Sequence, residues 1–397
     1  MRVDELIGMR KPGYSLPAEF YLSPEIYRLD LERMLLKHWH CAGHVSQIAG
    51  PGDWIELAID VESVIVVRGD DGAIHALANV CRHRGSRICD GPAGHAKAGR
   101  FTCPYHAWVY RTDGTLAQAR MMPDDFELAD HGLHALAVQV IEGLIFVSLD
   151  ADPLALDEVD HVLQRTIGPL GWADANVVHT ETFPIAANWK LALENQVECY
   201  HCAPSHPEFF KVHSQGRVDI AAARLETLDR AIAQGIDIPC RDQWALAAMP
   251  GQEADYCNRY AMWGGAVTAS QDGELVAPLM GFTEPDGGFT IFYVGPLNHF
   301  LAYADYGAIF RYAPRSVDRT DLVVTWLVRG DAEQGVDFDL DRLTWLWRVT
   351  AAADRRIVET NQHGVSSRFY EPGPYALPIE SSTDRLIEWY LDALAER

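Results

Sequence analysis

The alternation of apolar and polar positions divides the chain into stretches of different texture. In SLPAEFYLSPEIYRLDLERMLLKHW, Ser23-Pro24 has the form of an N-cap followed by proline at the first helical position. This predicts a helix running to about Trp39. From 53 to 149 the pattern changes to short runs that alternate or cluster apolar residues: DWIELAI, SVIVVRG, AIHALAN, WVYRTDG and LIFVSLD. GDDG at 69–72 and TDG at 112–114 supply hairpin turns. Together they predict a small all-β domain. ALAVQVIEGLIFVSL is split by Glu142-Gly143 and reads as two strands around a turn, not as a membrane span.

The second part of the chain has a mixed texture. DPLALDEVDHVLQRTI has an amphipathic helical pattern, VVHTETFPIAAN a strand pattern, and NWKLALENQVECYHC a helical one. Residues 211–258 are ambiguous and partly helical. FTIFYVG, HFLAYAD, AIFRYAP and DLVVTWLVRG return to strand texture, and helices are expected over about 338–363 and 379–395. The fold class expected is α+β: an N-terminal all-β domain, then an antiparallel sheet with helices.

Composition narrows the function classes. With 397 residues, 48% apolar and 22% charged, the chain can bury ample core. A net charge of −23 opposes nucleic-acid binding and suits, weakly, a cationic substrate. No apolar run reaches membrane-spanning length, and the N-terminal MRVDELIGMRKPGY lacks the apolar core of a signal peptide. The expectation is a cytoplasmic protein without membrane contact. In that setting the eight cysteines favour metal ligation over a disulfide framework.

Two short stretches then ask for a metal. CRHRGSR at 81–87 places Cys81 two residues before His83, and CPYH at 103–106 places Cys103 three before His106. Four such ligands suit a tetrahedral structural zinc. They equally suit a two-iron, two-sulfide cluster, with thiolates on one iron and neutral imidazoles raising the potential of the other. Spacing alone leaves both open. A second group lies in NWKLALENQVECYHCAPSH. His201 and His206 point about 140° apart on an uninterrupted helix. A break at Pro204 would swing them together. In TAAADRRIVETNQHG, helical phasing puts Asp354 on one face with Ile357, Val358 and Asn361. A carboxylate there needs a partner, because burying a bare charge is expensive. Two imidazoles and a carboxylate form the facial triad of non-haem Fe(II) oxygenases.

CRHRGSRIC followed by CPYHAWVYRTDG resembles the Rieske motif. ENQVECYHCAPSH resembles the iron motif of the catalytic α-subunits of Rieske non-haem iron oxygenases, and the resemblance spans nearly the whole chain. It implies a helical segment over 1–40 packing with the catalytic domain, a Rieske [2Fe-2S] domain over 41–151 and a helix-grip catalytic domain over 152–397. It also implies cluster ligands Cys81, His83, Cys103 and His106, and mononuclear Fe(II) ligands His201, His206 and Asp354. Cys89 falls outside the pattern and reads as a buried thiol. In the family, a carboxylate at the place of Glu198 bridges an iron-ligating His to a Rieske His of the neighbouring subunit of a homotrimer. Here that would join His201 to His106 of an adjacent chain.

The ring-dihydroxylating branch usually has Asp at that place. Glu is similar to the branch that oxidises quaternary amines such as carnitine, glycine betaine and stachydrine. The resemblance implies O2 chemistry fed by a separate NAD(P)H-dependent reductase or ferredoxin, since GPAGHAKAG lacks dinucleotide-site spacing. N-demethylation of a methylated amine is the expected reaction, with hydroxylation or cis-dihydroxylation of an aromatic compound as the alternative. Phe209, Tyr260 and Trp263 could form a cation–π cage or equally be core. An aromatic acid would require an Arg near the pocket, and the sequence places none. A zinc-stabilised helix-grip binding protein is the reading from a different class.

Overall fold

The computed structural model describes residues 3–217, 220–237, 255–377 and 379–395. Cys240 and part of the ambiguous 211–258 stretch lie outside the described residues. The chain forms two compact units. One spans Trp39–Pro153; the other joins the residues up to His38 with those from Leu154 onward.

The second of these units begins with α1 (Val3–Ile7), α2 (Glu19–Leu22) and α3 (Pro24–Asp30). The Ser23 hydroxyl accepts from the Ile26 amide, as the Ser-Pro signal predicts. The helix stops well short of Trp39. At Asp30 it passes into a wider, π-type turn over Leu31–Leu35. Asp30 is fully buried there and accepts from Trp189 Nε1 (3.1 Å), Tyr390 Oη (2.8 Å) and Lys190 Nζ.

The all-β unit contains β1 (Trp39–His44), β2 (Asp53–Ile59), β3 (Glu62–Arg68), β4 (Ile74–Ala78), β5 (Ala93–His95), β6 (Arg100–Thr102), β7 (Val109–Arg111), β8 (Leu116–Gln118), β9 (Ala135–Ile141) and β10 (Leu144–Ser148). Seven strands pair in the order β1-β10-β9-β4-β3-β2-β5, and β6-β7-β8 form a second small sheet. Glu142-Gly143 makes the turn between β9 and β10, as the split apolar run predicts. Trp54, Ile65, Val67, Leu77, Phe101 and Trp108 pack into one apolar cluster beneath the two Cys/His loops.

The unit that begins with α1 continues with α4 (Asp157–Thr166), β11 (Asn176–Ile185), α5 (Trp189–Gln196), α6 (Cys202–Ser205), α7 (Pro207–Val212) and α8 (Ala221–Ala233). It ends with β12 (Tyr256–Ala261), β13 (Gly288–Tyr293), β14 (Asn298–Ala302), β15 (Tyr306–Ser316), β16 (Arg319–Val328), α9 (Leu340–Val365) and α10 (Ser381–Ala395). The six strands pair antiparallel in the order β11-β16-β15-β14-β13-β12. The fold is therefore α+β, as expected.

Helix α9 packs on α5 and β11. It buries Leu343, Leu346, Trp347 and Ala351, the large side chains each contributing about 1.5–3 kcal/mol by leaving water. The N-cap Asn188 ties α5 to α9. Its side chain accepts from the Lys190 amide (3.0 Å), and its own amide donates to Gln362 Oε1 (2.8 Å). That joint holds the chain after α5 opposite Asp354.

Candidate metal centres

The two Cys/His loops of the all-β unit meet. Cys81 and Cys103 are each 2% exposed and lie beside one another, and the His83 and His106 rings lie 4.6 Å apart. The first loop closes through Cys81 N to Ser86 O and Gly85 N to Cys81 O, both 2.9 Å. Gly85 has φ +75°, and an added Cβ there would meet nothing within 4 Å. The left-handed backbone, rather than crowding, is what calls for glycine. In the second loop Cys103 N donates to Trp108 O (2.8 Å). The Trp108 ring stacks on His83 at 4.9 Å.

The donor set fits a two-iron, two-sulfide cluster. His83 Nδ1 is buried without a hydrogen-bond partner among the described residues, as a nitrogen aimed at a metal would be. Desolvation, with His83 and Arg84 beside it, lowers His106, which favours the neutral imidazole. The sequence did not mark Tyr110. Its hydroxyl accepts from the Arg82 amide (3.0 Å) and so turns its proton to Cys81 Sγ, 3.2 Å away. Cys89 is buried, its amide bonded to Asn79 Oδ1 (2.9 Å), and burial pushes its thiol up to about 12.

In the other unit His201, His206 and Asp354 converge. His201 Nε2 lies 3.3 Å and His206 Nε2 3.0 Å from the same oxygen, Asp354 Oδ1. The break that permits this differs from the expected one. Helix α5 already ends at Gln196, and a turn carries Glu198–His201. Pro204 sits in the short helix α6, where its missing N–H costs nothing in the first turn.

Among the described residues, both ring nitrogens of His206 and Asp354 Oδ1 are buried without a hydrogen bond of acceptable geometry. His201 Nε2, His206 Nε2 and Asp354 Oδ1, crowded together, fit a common cation. These residues would hold a divalent metal through two imidazole nitrogens and one carboxylate oxygen. Burial favours the uncharged form of each group, but the pairing outweighs it. Asp354 and Glu198 raise His201 to about 9, and His201 and His206 hold Asp354 below the usual carboxylate range.

Glu198 Oε1 lies 2.5 Å from His201 Nδ1, and Oε2 accepts from the Tyr200 amide. This leaves His201 Nε2 facing Asp354. Two neighbours went unread in the sequence. Asn195 Nδ2 stands 3.2 Å from His201 Nε2. Cys199 and Cys202 form a disulfide across the turn that carries His201, against the expectation that the thiols serve metals. Their C-x-x-C spacing was the available signal.

A cavity of about 50 Å³ opens at the constellation, lined by Phe209, Ile291, Tyr293, Leu301, Tyr303 and Trp347 among others, with no Lys or Arg among the described lining residues. Of the aromatic residues proposed from sequence, Phe209 lines it, edge-on to His206 at 5.2 Å. Tyr260 lines an adjoining cavity of about 280 Å³, which shares Gln196, Glu198, Cys199 and Tyr293 with the first. Trp263 instead lies under the Arg217 guanidinium (4.7 Å). Arg217 lines the adjoining cavity and supplies the cation that the sequence alone did not place. His213 Nδ1 donates to Phe209 O (3.0 Å), so its Nε2 accepts from the Tyr303 hydroxyl (2.9 Å). Burial lowers His213 to about 3 and keeps it neutral. Tyr303 therefore offers the cavity only oxygen lone pairs and a ring face.

Comparison with known proteins follows the same division. A family described as the ring-hydroxylating α-subunit catalytic domain matches residues 172–396, and the Rieske [2Fe-2S] domain family matches residues 38–136. The glycine betaine monooxygenase oxygenase subunit of Pseudomonas aeruginosa is 34% identical over 402 residues, covering 98% of this chain and 91% of that protein. The carnitine monooxygenase oxygenase subunit of Acinetobacter baumannii is 33% identical over 201 residues, covering 50% of this chain and 54% of that protein. A solved quaternary ammonium Rieske monooxygenase, studied for carnitine oxidation and inter-subunit electron transfer, shares the fold with a TM-score of 0.75. It is 22% identical, with 99% of this chain and 98% of that one covered.

Proposed function

The chain belongs to the ring-hydroxylating α-subunit family with a Rieske [2Fe-2S] domain, and from that premise we propose that it is the oxygenase component that removes an N-methyl group from a quaternary or methylated ammonium compound. Members of this family are oxidoreductases that carry a Rieske cluster and a mononuclear iron. In our reading Cys81 and Cys103 hold one cluster iron and His83 and His106 the other, while His201, His206 and Asp354 hold the mononuclear Fe(II). O2 activation is the chemistry that iron supplies when bound.

The observation that carries the substrate class is the aromatic, cation-free cavity beside the constellation. Quaternary ammonium has no N–H to donate, and the cavity offers it ring faces and lone pairs. A carboxylate at the substrate's other end would face Arg217 in the adjoining cavity. Methylated ammonium zwitterions combine both features. The relatives named for glycine betaine and carnitine support this class.

The reaction balances as follows. One oxygen atom of O2 enters an N-methyl C–H bond and the other leaves as water, with two electrons and two protons from NAD(P)H and solvent. The carbinolamine product collapses to formaldehyde and the demethylated amine. Electrons reach the chain from a separate reductase or ferredoxin in the cytoplasm. Glu198 positions His201 and, in a homotrimer, bridges to His106 of an adjacent chain. The exposure of His106 and the contact of Glu198 with His201 Nδ1 support that arrangement. The test is NADH consumption with a reductase over a panel of methylated ammonium zwitterions and aromatic compounds. Response to the zwitterions supports the proposal. Coupled turnover of arenes alone, giving diols or phenols, overturns it in favour of aromatic hydroxylation.

A further inference from the structure

The Cys199–Cys202 disulfide encloses His201, and the two sulfurs differ in what they face. Cys202 is 3% exposed, with Sγ 3.9 Å from His201 Nε2, the nitrogen turned toward Asp354. Ligand atoms of His201, Cys202 and His206 all lie within 4.8 Å of one another. Cys199 is absent from that group. It is part-exposed and lines both the cavity at the constellation and the larger adjoining one. Cys202 Sγ therefore sits buried among the ligand atoms, while Cys199 is the one of the pair that reaches the larger cavity and solvent.

The chemistry of the two redox states is different. While its sulfur is bonded to Cys199, Cys202 offers the constellation no thiolate, and the donors are two imidazoles and a carboxylate. That is the set suited to Fe(II) with open positions. Reduction breaks the S–S bond and forms two thiols. The two electrons and two protons come from a pair of small-molecule thiols, which leave joined as a disulfide. Cys202 then adds a soft donor, and the site becomes two nitrogens, one oxygen and one sulfur. Such a four-donor set suits tetrahedral zinc and fills a position that oxygen chemistry needs free. Hydrogen peroxide reverses the change, taking two electrons and two protons from the thiols and leaving as two waters. In a reducing compartment, a disulfide is characteristically of this responsive kind.

We propose that the Cys199–Cys202 pair is a redox switch for metal choice, its disulfide withholding the Cys202 sulfur from the site and its reduction exposing Cys202 as an added ligand that shifts the site further toward zinc. The inference rests on the reading of His201, His206 and Asp354 as the iron site. Its test uses the full chain with its cluster, challenged with equal Fe(II) and Zn(II) under anaerobic conditions, before and after treatment with a phosphine reductant. Metal per chain is read by elemental analysis, zinc ligation by X-ray absorption, and thiol state by alkylation and mass spectrometry.

Reduction is expected to lower the iron-to-zinc ratio by at least about tenfold, with one sulfur scatterer on zinc. Cys199→Ser, which frees Cys202 permanently, should behave as the reduced protein under both conditions. Cys202→Ser should keep the higher iron-to-zinc ratio of the oxidised parent under both. Equal ratios in the two variants, or zinc bound without sulfur, would overturn the switch and leave the iron site standing. Failure of Cys202→Ser to take any metal beyond the cluster would overturn the site reading as well.

Discussion

Replacing Glu198 by Gln tests how much of the mononuclear site depends on the carboxylate behind His201. Both atoms that Glu198 faces are donors: His201 Nδ1–H at 2.5 Å and the Tyr200 amide. A carboxylate accepts from both. An amide presents one acceptor and one NH2, so one donor must face another donor. A hydrogen bond to a charged group is worth about 1.5–3 kcal/mol. Loss of a residue that orients a metal-bound imidazole typically costs 10–100-fold in metal affinity, or roughly 1.4–2.7 kcal/mol. The two estimates agree. Glu198→Gln should therefore weaken Fe(II) binding by about 10–100-fold, measured by chelator competition, while the variant stays loaded at saturating iron. Under that saturation its pre-reduced cluster should reoxidise slowly with substrate and O2. Iron affinity within twofold of the parent, together with unchanged reoxidation, would refute the reasoning.

Other residues give independent outcomes. Asp354→Ala should lose the mononuclear iron yet keep the red-brown cluster with its two irons and two sulfides, as counted by iron and acid-labile sulfide analysis. Tyr110→Phe removes the hydroxyl beside Cys81 Sγ. With one neutral hydrogen bond worth about 1 kcal/mol, the cluster potential should fall by about 40 mV in protein-film voltammetry. Glu194 is buried against Tyr21, and burial raises its carboxyl to about 7 from an ordinary 4.5. The unfolded chain ionises first, so this group's cost to stability grows as pH rises from about 4.5 to about 7 and is full above that. Glu194→Gln keeps an acceptor for Tyr21 and should gain up to about 3 kcal/mol over the parent at pH 8 and little at pH 4.5 in urea denaturation.

What the sequence made legible is what depends on neighbours along the chain. The strand runs of the all-β unit survive with small boundary changes because alternation is a local property. Asp354 is picked out because helical phasing sets it on one face with Ile357 and Val358, and α9 does bury Val358. The Cys/His pairs declare themselves by spacing. What escaped depends on contacts between distant segments. Tyr110 meets Cys81 only because β7 passes under the first loop, and His213 meets Tyr303 across 90 residues. Helix α3 stops at Asp30 where Trp189, Lys190 and Tyr390 take up its carboxylate, partners that local propensity does not contain. The early end of α5 is likewise tertiary. The turn after it is held by Glu198 on His201 and Tyr200, and closed by Cys199 and Cys202.

The most direct test of the account is the ratio of formaldehyde formed to NADH consumed, measured with a reductase, O2 and a methylated ammonium zwitterion such as glycine betaine. Removal of one N-methyl group at the His201–His206–Asp354 site predicts a ratio of one, with the demethylated amine in equal amount and no product from Asp354→Ala. NADH consumption coupled to a hydroxylated neutral arene, with no formaldehyde from any methylated amine, would contradict it.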